Sequence, residues 1–329
     1  MPRNGQPCKQ LGITCSIGCD NHKVVPFYFT PCVFNIKGKK MKIILSRKGF
    51  DSTAGGYPSP IIDNKLISIP IPDENEKIKY SDLYFEDKSY FEILQQLIRN
   101  NLVLNNKRIK LDLQTKCHLD PDINKDCLKD REEKWKRMFG QVDGAQTILE
   151  GNNRREGVHV GDLFLFFGWF KNTRKTAETK RLMYCGNDKH IMWGYFEIGE
   201  IIKTNTKNIE YWNDWQYHPH IKNDCWLNKE NNTIYIANEK LSFNSRLPGA
   251  GRFDYNENLV LTKNNHPRTH WKLPECFKSV EISYHPSPWK ELKGEKYFQS
   301  NPIGQEFVVE ENKKIEEWAI NIVNRFGKP

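Results

Sequence analysis

Apolar residues fall into short runs separated by polar, glycine- and proline-bearing stretches, and the spacing within each run sets the element it predicts. "MKIILSR" (41–47) is short and rich in Ile and Leu and reads as a strand. "KLISIPIP" (65–72) reads as a second strand, with Pro70 and Pro72 confining its end to an edge or a turn. In "SYFEILQQLIRNN" (89–101) the apolar positions Phe91, Leu94, Leu97 and Ile98 recur at helical spacing, and Ser89 with Glu92 forms a capping-box pair. "REEKWKRMFG" (131–140) reads as a short helix stopped by Gly140, and "GAQTILE" (144–150) as another.

Two nearly continuous apolar runs follow, "DLFLFFGWF" (162–170) and "HIMWGYFEIGEII" (190–202). Neither alternates, which predicts strands covered on both faces. Gly168, Gly194 and Gly199 mark bulges or sharp bends in them. Between them, residues 171–189 read as a long loop with six basic and two acidic residues. Further strands are predicted at 233–238, 259–263 and 306–310. The chain closes on an amphipathic helix, "KKIEEWAINIVNRF" (313–326), whose stripe of Ile315, Trp318, Ala319, Ile322, Val323 and Phe326 is core packing. Strands dominate without a βαβ rhythm, so the expected class is α+β, a mixed, strongly curved sheet or a barrel with peripheral helices and the C-terminal amphipathic helix.

At 329 residues and 38% hydrophobic content the chain can build a real core. Residues 41–329 are expected to form one domain. The net charge of +9 is unevenly spread: six Lys or Arg and one acid lie in residues 1–40, against 44 basic and 40 acidic groups in the rest. A uniformly basic nucleic-acid-binding body is therefore not implied. The longest apolar run is far below the ~20 residues a membrane helix needs. No signal core is visible, and a cytoplasmic location is the expectation. Residues 1–40 hold Cys8, Cys15, Cys19, Cys32 and His22. They read either as a poorly structured extension or as part of a zinc site.

Chemistry concentrates in a few loops. "SRKGFDSTAGG" (46–56) lacks the Gly-Lys-Ser/Thr order of a phosphate P-loop. It still offers Ser46, Ser52, Gly55 and Gly56 as substrate contacts, Arg47 or Lys48 for an anion, and Asp51 as a carboxylate. A plain glycine turn with a surface Arg–Asp pair is the bland alternative. In "CHLDPD" (117–122), His118, Asp120 and Asp122 alternate and would face one way in an extended segment, so His118 and Asp120 are candidate metal ligands. An Asp-Pro turn capping its own backbone explains the same residues. "YHPHI" (217–221) presents His218 and His220, as metal ligands with a carboxylate from elsewhere or as general bases. "LPGAGRF" (247–253) is flanked and entered by Arg246 and Arg252.

Taken together, "MKIILSRKGFDSTAGGYPSPI", "CHLDPD", "FGQVDGAQTIL", "VGDLFLFFGWF", "HIMWGYFEIGEII", "YHPHI", "LPGAGRF" and "GQEFV" resemble the nucleotide-modification-associated domain 3 family from Met41 to about residue 325. The resemblance implies a protein associated with modification of nucleotides or nucleic-acid bases. It points to Arg47, Asp51, His118, Asp120, His218 and His220 as site residues. A weaker likeness of residues 157–202, through Gly161 and Asp162, is to PUA-like barrels of the ASCH and EVE kind, which bind RNA or modified bases.

Three function classes follow. An enzyme on nucleotides or modified bases would use Arg47 and Lys48 for phosphate, Asp51, His218 and His220 for acid–base or metal chemistry, and Arg246 as a further substrate contact. A divalent metal is the one cofactor the residues invite. A non-catalytic reader would stack a flipped base on aromatics and grip phosphate with the 171–189 segment. A plain interaction module needs none of this. No membrane partner is expected, and the oligomeric state is open.

Overall fold

A computed structural model describes residues 40–98, 101–204, 215–222, 224–283, 288–303 and 306–329. Within it, residues 40–329 form one compact unit. The N-terminal cysteine segment, "YHPS" of "SYHPSPW" and Trp212 lie outside the described residues.

The architecture is α+β and mostly sheet. The strands that position the site are β1 (Ile43–Arg47), β2 (Ser59–Ile62), β3 (Met138–Gln141), β4 (Leu163–Lys175), β5 (Leu182–Lys203), β6 (Thr233–Ala237), β7 (Ala250–Phe253), β8 (Glu306–Val309) and β9 (Gly327–Lys328). The main path of hydrogen-bonded neighbours runs β8-β1-β4-β5-β6-β3, with β2 beside β4, and β7 joining β5 to β9. β4 lies parallel to β1 and to β2, while the other pairs are antiparallel. The sheet is therefore mixed, as the first of the two expected architectures has it, and among the described residues it does not close into the PUA-like barrel of the second. Its two ends nevertheless approach: Gln141 at the end of β3 donates from Nε2 to Glu306 Oε1 at the start of β8, at 2.5 Å. A side-chain bond spans what a backbone ladder would close.

The unbroken apolar runs are explained by burial on both faces. Leu163 to Phe170 of β4 are buried throughout, as are Ile191 to Ile198 of β5. The predicted bulges occur at two of the three glycines: the β4–β5 register slips beside Gly194, and the β5–β6 register slips across Gly199. The predicted loop at 171–189 is largely strand, because β4 and β5 continue as a two-stranded arm to the turn at 176–181. Its Arg174, Lys175, Lys180 and Arg181 are exposed.

Helices α1 (Tyr90–Leu97), α2 (Asp143–Glu150) and α5 (Lys313–Phe326) stand close to where periodicity places them. Two single-turn helices, α3 (Pro219–Lys222) and α4 (Asp224–Leu227), precede β6. The Ser89–Glu92 capping box is formed. On α5, Asn312 caps the first turn and Ile315, Ala319, Ile322 and Val323 are buried, each large aliphatic contributing about 1.5–3 kcal/mol. The helix expected at 131–140 is absent. Arg131 and Trp135 instead both turn inward to the buried Asp122, and the chain continues as β3 against β6. Residues 259–263 make isolated bridges rather than a strand. The predicted strand at 65–72 reduces to Lys65–Leu66, paired with β2 around Asp63 and Asn64, whose positive φ fits a tight hairpin turn. No helix among the described residues is long and apolar enough to cross a membrane.

Candidate functional site

The segment 117–122 is extended and pinned along its length. Cys117 and His118 donate backbone bonds to Ile78 and Ile71, and Asp122 exchanges both bonds with Met138 at the start of β3. His118 and Asp120 thus point one way, into the interval between β3 and α3. Asp122 takes a structural role, accepting from both Arg131 nitrogens at 2.5 and 2.7 Å and from Trp135 Nε1 at 2.9 Å.

From the other side, α3 and the residue before it bring His220 and His218, both buried. The His118 and His220 rings meet edge-on with centroids 5.1 Å apart, and Trp226 of α4 stacks on His220 at 5.4 Å. Gly140 makes this approach possible, since a Cβ there would lie 2.2 Å from His220 Cγ. The Gly140 amide also donates to Asp120 Oδ1 at 2.7 Å. His218 Nε2 lies 3.3 Å from the same oxygen, close enough for attraction but off the line a hydrogen bond needs. Burial pushes the Asp120 carboxyl upward, but His218, Lys48 and His220 outweigh it and hold it well below the usual range. Burial brings His220 down to about 3, so its imidazole is neutral. Burial also opposes protonation of His118, but the bond to Glu76 and the charges of Asp120 and Asp73 raise it overall.

Strand β1 delivers the remaining groups. Ser46 and Lys48 alternate onto the face of this centre. Ser46 Oγ donates to Glu306 Oε1 at 3.0 Å, and Lys48 Nζ sits 3.5 Å from it and 5.0 Å from the centre of the Phe139 ring. Glu306 is buried and its Oε2 has no hydrogen-bond partner. Burial raises its carboxyl despite Lys48.

Arg47 and Asp51 are not part of this group. Arg47 donates to the Asn301 and Pro302 carbonyls. Its Nε and Nη2, with Arg268 Nε and His190 Nε2, are buried without hydrogen-bond partners. His190 Nδ1 accepts from Trp271 Nε1 at 2.9 Å, so in the neutral ring Nε2 carries the proton and is a donor too. Burial, with Asp51 opposing, lowers Arg47 to about 10. Asp51 Oδ1 accepts from Thr53 N, Thr53 Oγ1 and Ala54 N, at 2.7, 2.7 and 2.8 Å, and so caps its own loop. Gly55, at φ +88°, leaves no room for a Cβ, which would meet the Phe50 ring at 2.2 Å, and one on Gly56 would meet Val103 at 2.6 Å. The glycine run is thus ordered by its own packing. Ser52 is exposed and accepts from Arg268 at 2.9 Å, and Arg246 sits exposed on a turn.

Asp120 also lines a cleft of about 190 Å³ with Gly49, Tyr90, Trp193, Arg252 and Lys65. His118, Asp120 and His220 each offer a ligand atom, all within 4.8 Å of one another, and Asp73, Glu76 and His118 form a second such set. Sequence reasoning missed Glu76, Asn232, Gln141 and Glu306. Only Glu306 carried a signal, a lone acid opening the apolar run "EFVV".

A family model described as nucleotide modification associated domain 3 matches residues 42–310. No curated protein and no solved structure gives a significant match.

Proposed function

The chain belongs to the nucleotide modification associated domain 3 family, and from that premise we propose that it is an enzyme acting on a nucleotide base, with its reaction centre at Asp120, His118, His218, His220, Lys48 and Glu306. One observation carries the reading: these ionisable side chains gather in one buried cluster, of which Asp120 lines a cleft. Each buried ion costs several kcal/mol of lost hydration, so packing alone does not account for the concentration. Lys48 and Glu306, with their charges held side by side, are the groups suited to moving a proton. The unpaired donors of Arg47, Arg268 and His190 suit a phosphate or other anion.

The test is nucleoside mass spectrometry of DNA, RNA and the nucleotide pool from cells expressing the chain or its Asp120→Asn variant. A nucleoside that appears or disappears only with the unaltered chain supports the reading. Identical profiles from two equally abundant folded proteins overturn it.

The exposed basic arm at 174–181 favours a second reading, a reader of modified nucleic acid. Its mark is binding to modified oligonucleotide that weakens steeply with salt, unaccompanied by any change in the bases.

A further inference from the structure

We propose that His118, Asp120 and His220 form a mononuclear site for a divalent transition metal ion, with Glu76, Asn232 and His218 as the groups that orient the ligands. The inference is independent of the substrate.

Hydrogen bonds settle which nitrogens are available. Asn232 Nδ2 donates to Thr204 Oγ1 at 3.0 Å and to the His220 carbonyl, which can only accept, at 2.8 Å. Asn232 Oδ1 is thereby left to accept from His220 Nδ1 at 2.7 Å, so His220 Nε2 carries the lone pair. His118 repeats the pattern, with Nδ1 3.1 Å from Glu76 Oε1 and Nε2 left for a third partner. A histidine whose distal N–H is held by a carboxylate or amide oxygen is the arrangement metal-binding histidines show. His218 is the reverse case. Its Nδ1 accepts from the His220 amide at 3.4 Å, which puts the proton on Nε2, facing Asp120. It supports the carboxylate and is not a ligand.

Ligands about 2.1 Å from a shared ion lie at most about 4.2 Å apart. The three ligand atoms already lie within 4.8 Å of one another, close to that limit. Two imidazoles and one carboxylate suit Zn²⁺, Fe²⁺, Co²⁺ or Mn²⁺ over Mg²⁺ or Ca²⁺, which prefer all-oxygen shells. Three protein ligands leave coordination positions open, and Asp120 faces the cleft from which a small molecule would reach them.

The experiment is a titration of the full-length, chelator-treated chain with Co²⁺, read by d–d absorption and calorimetry. One equivalent should bind without the strong sulfur charge-transfer band, and it should persist when Cys8, Cys15, Cys19 and Cys32 are all serine. His220→Ala and His118→Ala should abolish it. Asn232→Ala and His218→Ala should each weaken it by about 10–100-fold without abolishing it. Zn²⁺-induced shifts of the His118 and His220 ring nitrogens by NMR of the unaltered chain give the same answer if a variant does not fold. No binding by folded protein overturns the proposal. So does binding that depends on the cysteines, on His218 in place of His220, or on Asp73 and Glu76 but not His220.

Discussion

Gly140→Ala places one methyl group where the site has no room. The added Cβ would sit 2.2 Å from His220 Cγ, 2.3 Å from Cδ2 and 2.7 Å from Cβ. Carbon atoms in ordinary contact lie about 3.5–4.0 Å apart, so the ring must retreat by roughly 1.3 Å or β3 must move. A displacement of that size breaks the 2.7 Å bond from His220 Nδ1 to Asn232 or pulls the Gly140 amide off Asp120. Losing one buried bond costs about 1–3 kcal/mol, and forced overpacking about 1–3 kcal/mol, for a total of about 2–6 kcal/mol. Urea denaturation of the full chain measures this, with Co²⁺ uptake followed on the same sample. Gly144→Ala is the control: its Cβ would meet nothing within 4 Å on helix α2, so it should be neutral or stabilising by about 0.5–1 kcal/mol. If Gly140→Ala matched the unaltered protein in both stability and metal uptake, the proposed packing of His220 against β3 would be wrong.

Asp122→Ala strands the buried Arg131 and should cost about 3–5 kcal/mol, while Co²⁺ uptake per folded molecule stays unchanged, which a urea titration with parallel absorption would show. Asp51→Ala removes a loop cap and should cost about 1–3 kcal/mol with the nucleoside profile intact; loss of the product from a folded variant would return Asp51 to the reaction. His190 gives a pH dependence of definite sign. Burial holds its folded value well below the ordinary 6.5, so below about pH 6.5 the unfolded chain binds a proton that the folded chain refuses. Its contribution is complete above that pH and falls by about 1.4 kcal/mol for each unit below it. His190→Gln should flatten that part of the stability profile, and an unchanged slope would refute the assignment.

Several of these features can be read directly along the chain. The Ser89–Glu92 cap and the α5 stripe are local, fixed by spacing within one turn or a few, and both formed where the pattern put them. The alternation in "CHLDPD" puts His118, Asp120 and Asp122 on one face, which holds for His118 and Asp120. Arg47 and Lys48, grouped for one phosphate, go instead to separate partners, Pro302 and Glu306. The partition of Asp122 away from its neighbours, to Arg131, depends on a turn that sequence read as a helix. The joining of His118 and Asp120 to His220 in preference to His218 depends on β3 and α3 meeting at Gly140, two segments distant in sequence. Glu76 sits in "DENEKIK" and Asn232 in "ENN", polar runs that look like any solvated surface. Nothing local marks them as the partners that set two imidazole tautomers. The glycine loop is open to two readings in sequence, a ligand grip or a plain turn, and tertiary packing on Phe50 and Val103 accounts for its order.

X-ray absorption of the zinc-loaded full-length chain tests the central geometry most directly. The account predicts a first shell of nitrogen and oxygen at about 2.0–2.2 Å, with the outer-shell scattering of two imidazoles, lost in His220→Ala. A shell dominated by sulfur at about 2.3 Å, or a folded chain that retains no zinc, would contradict it.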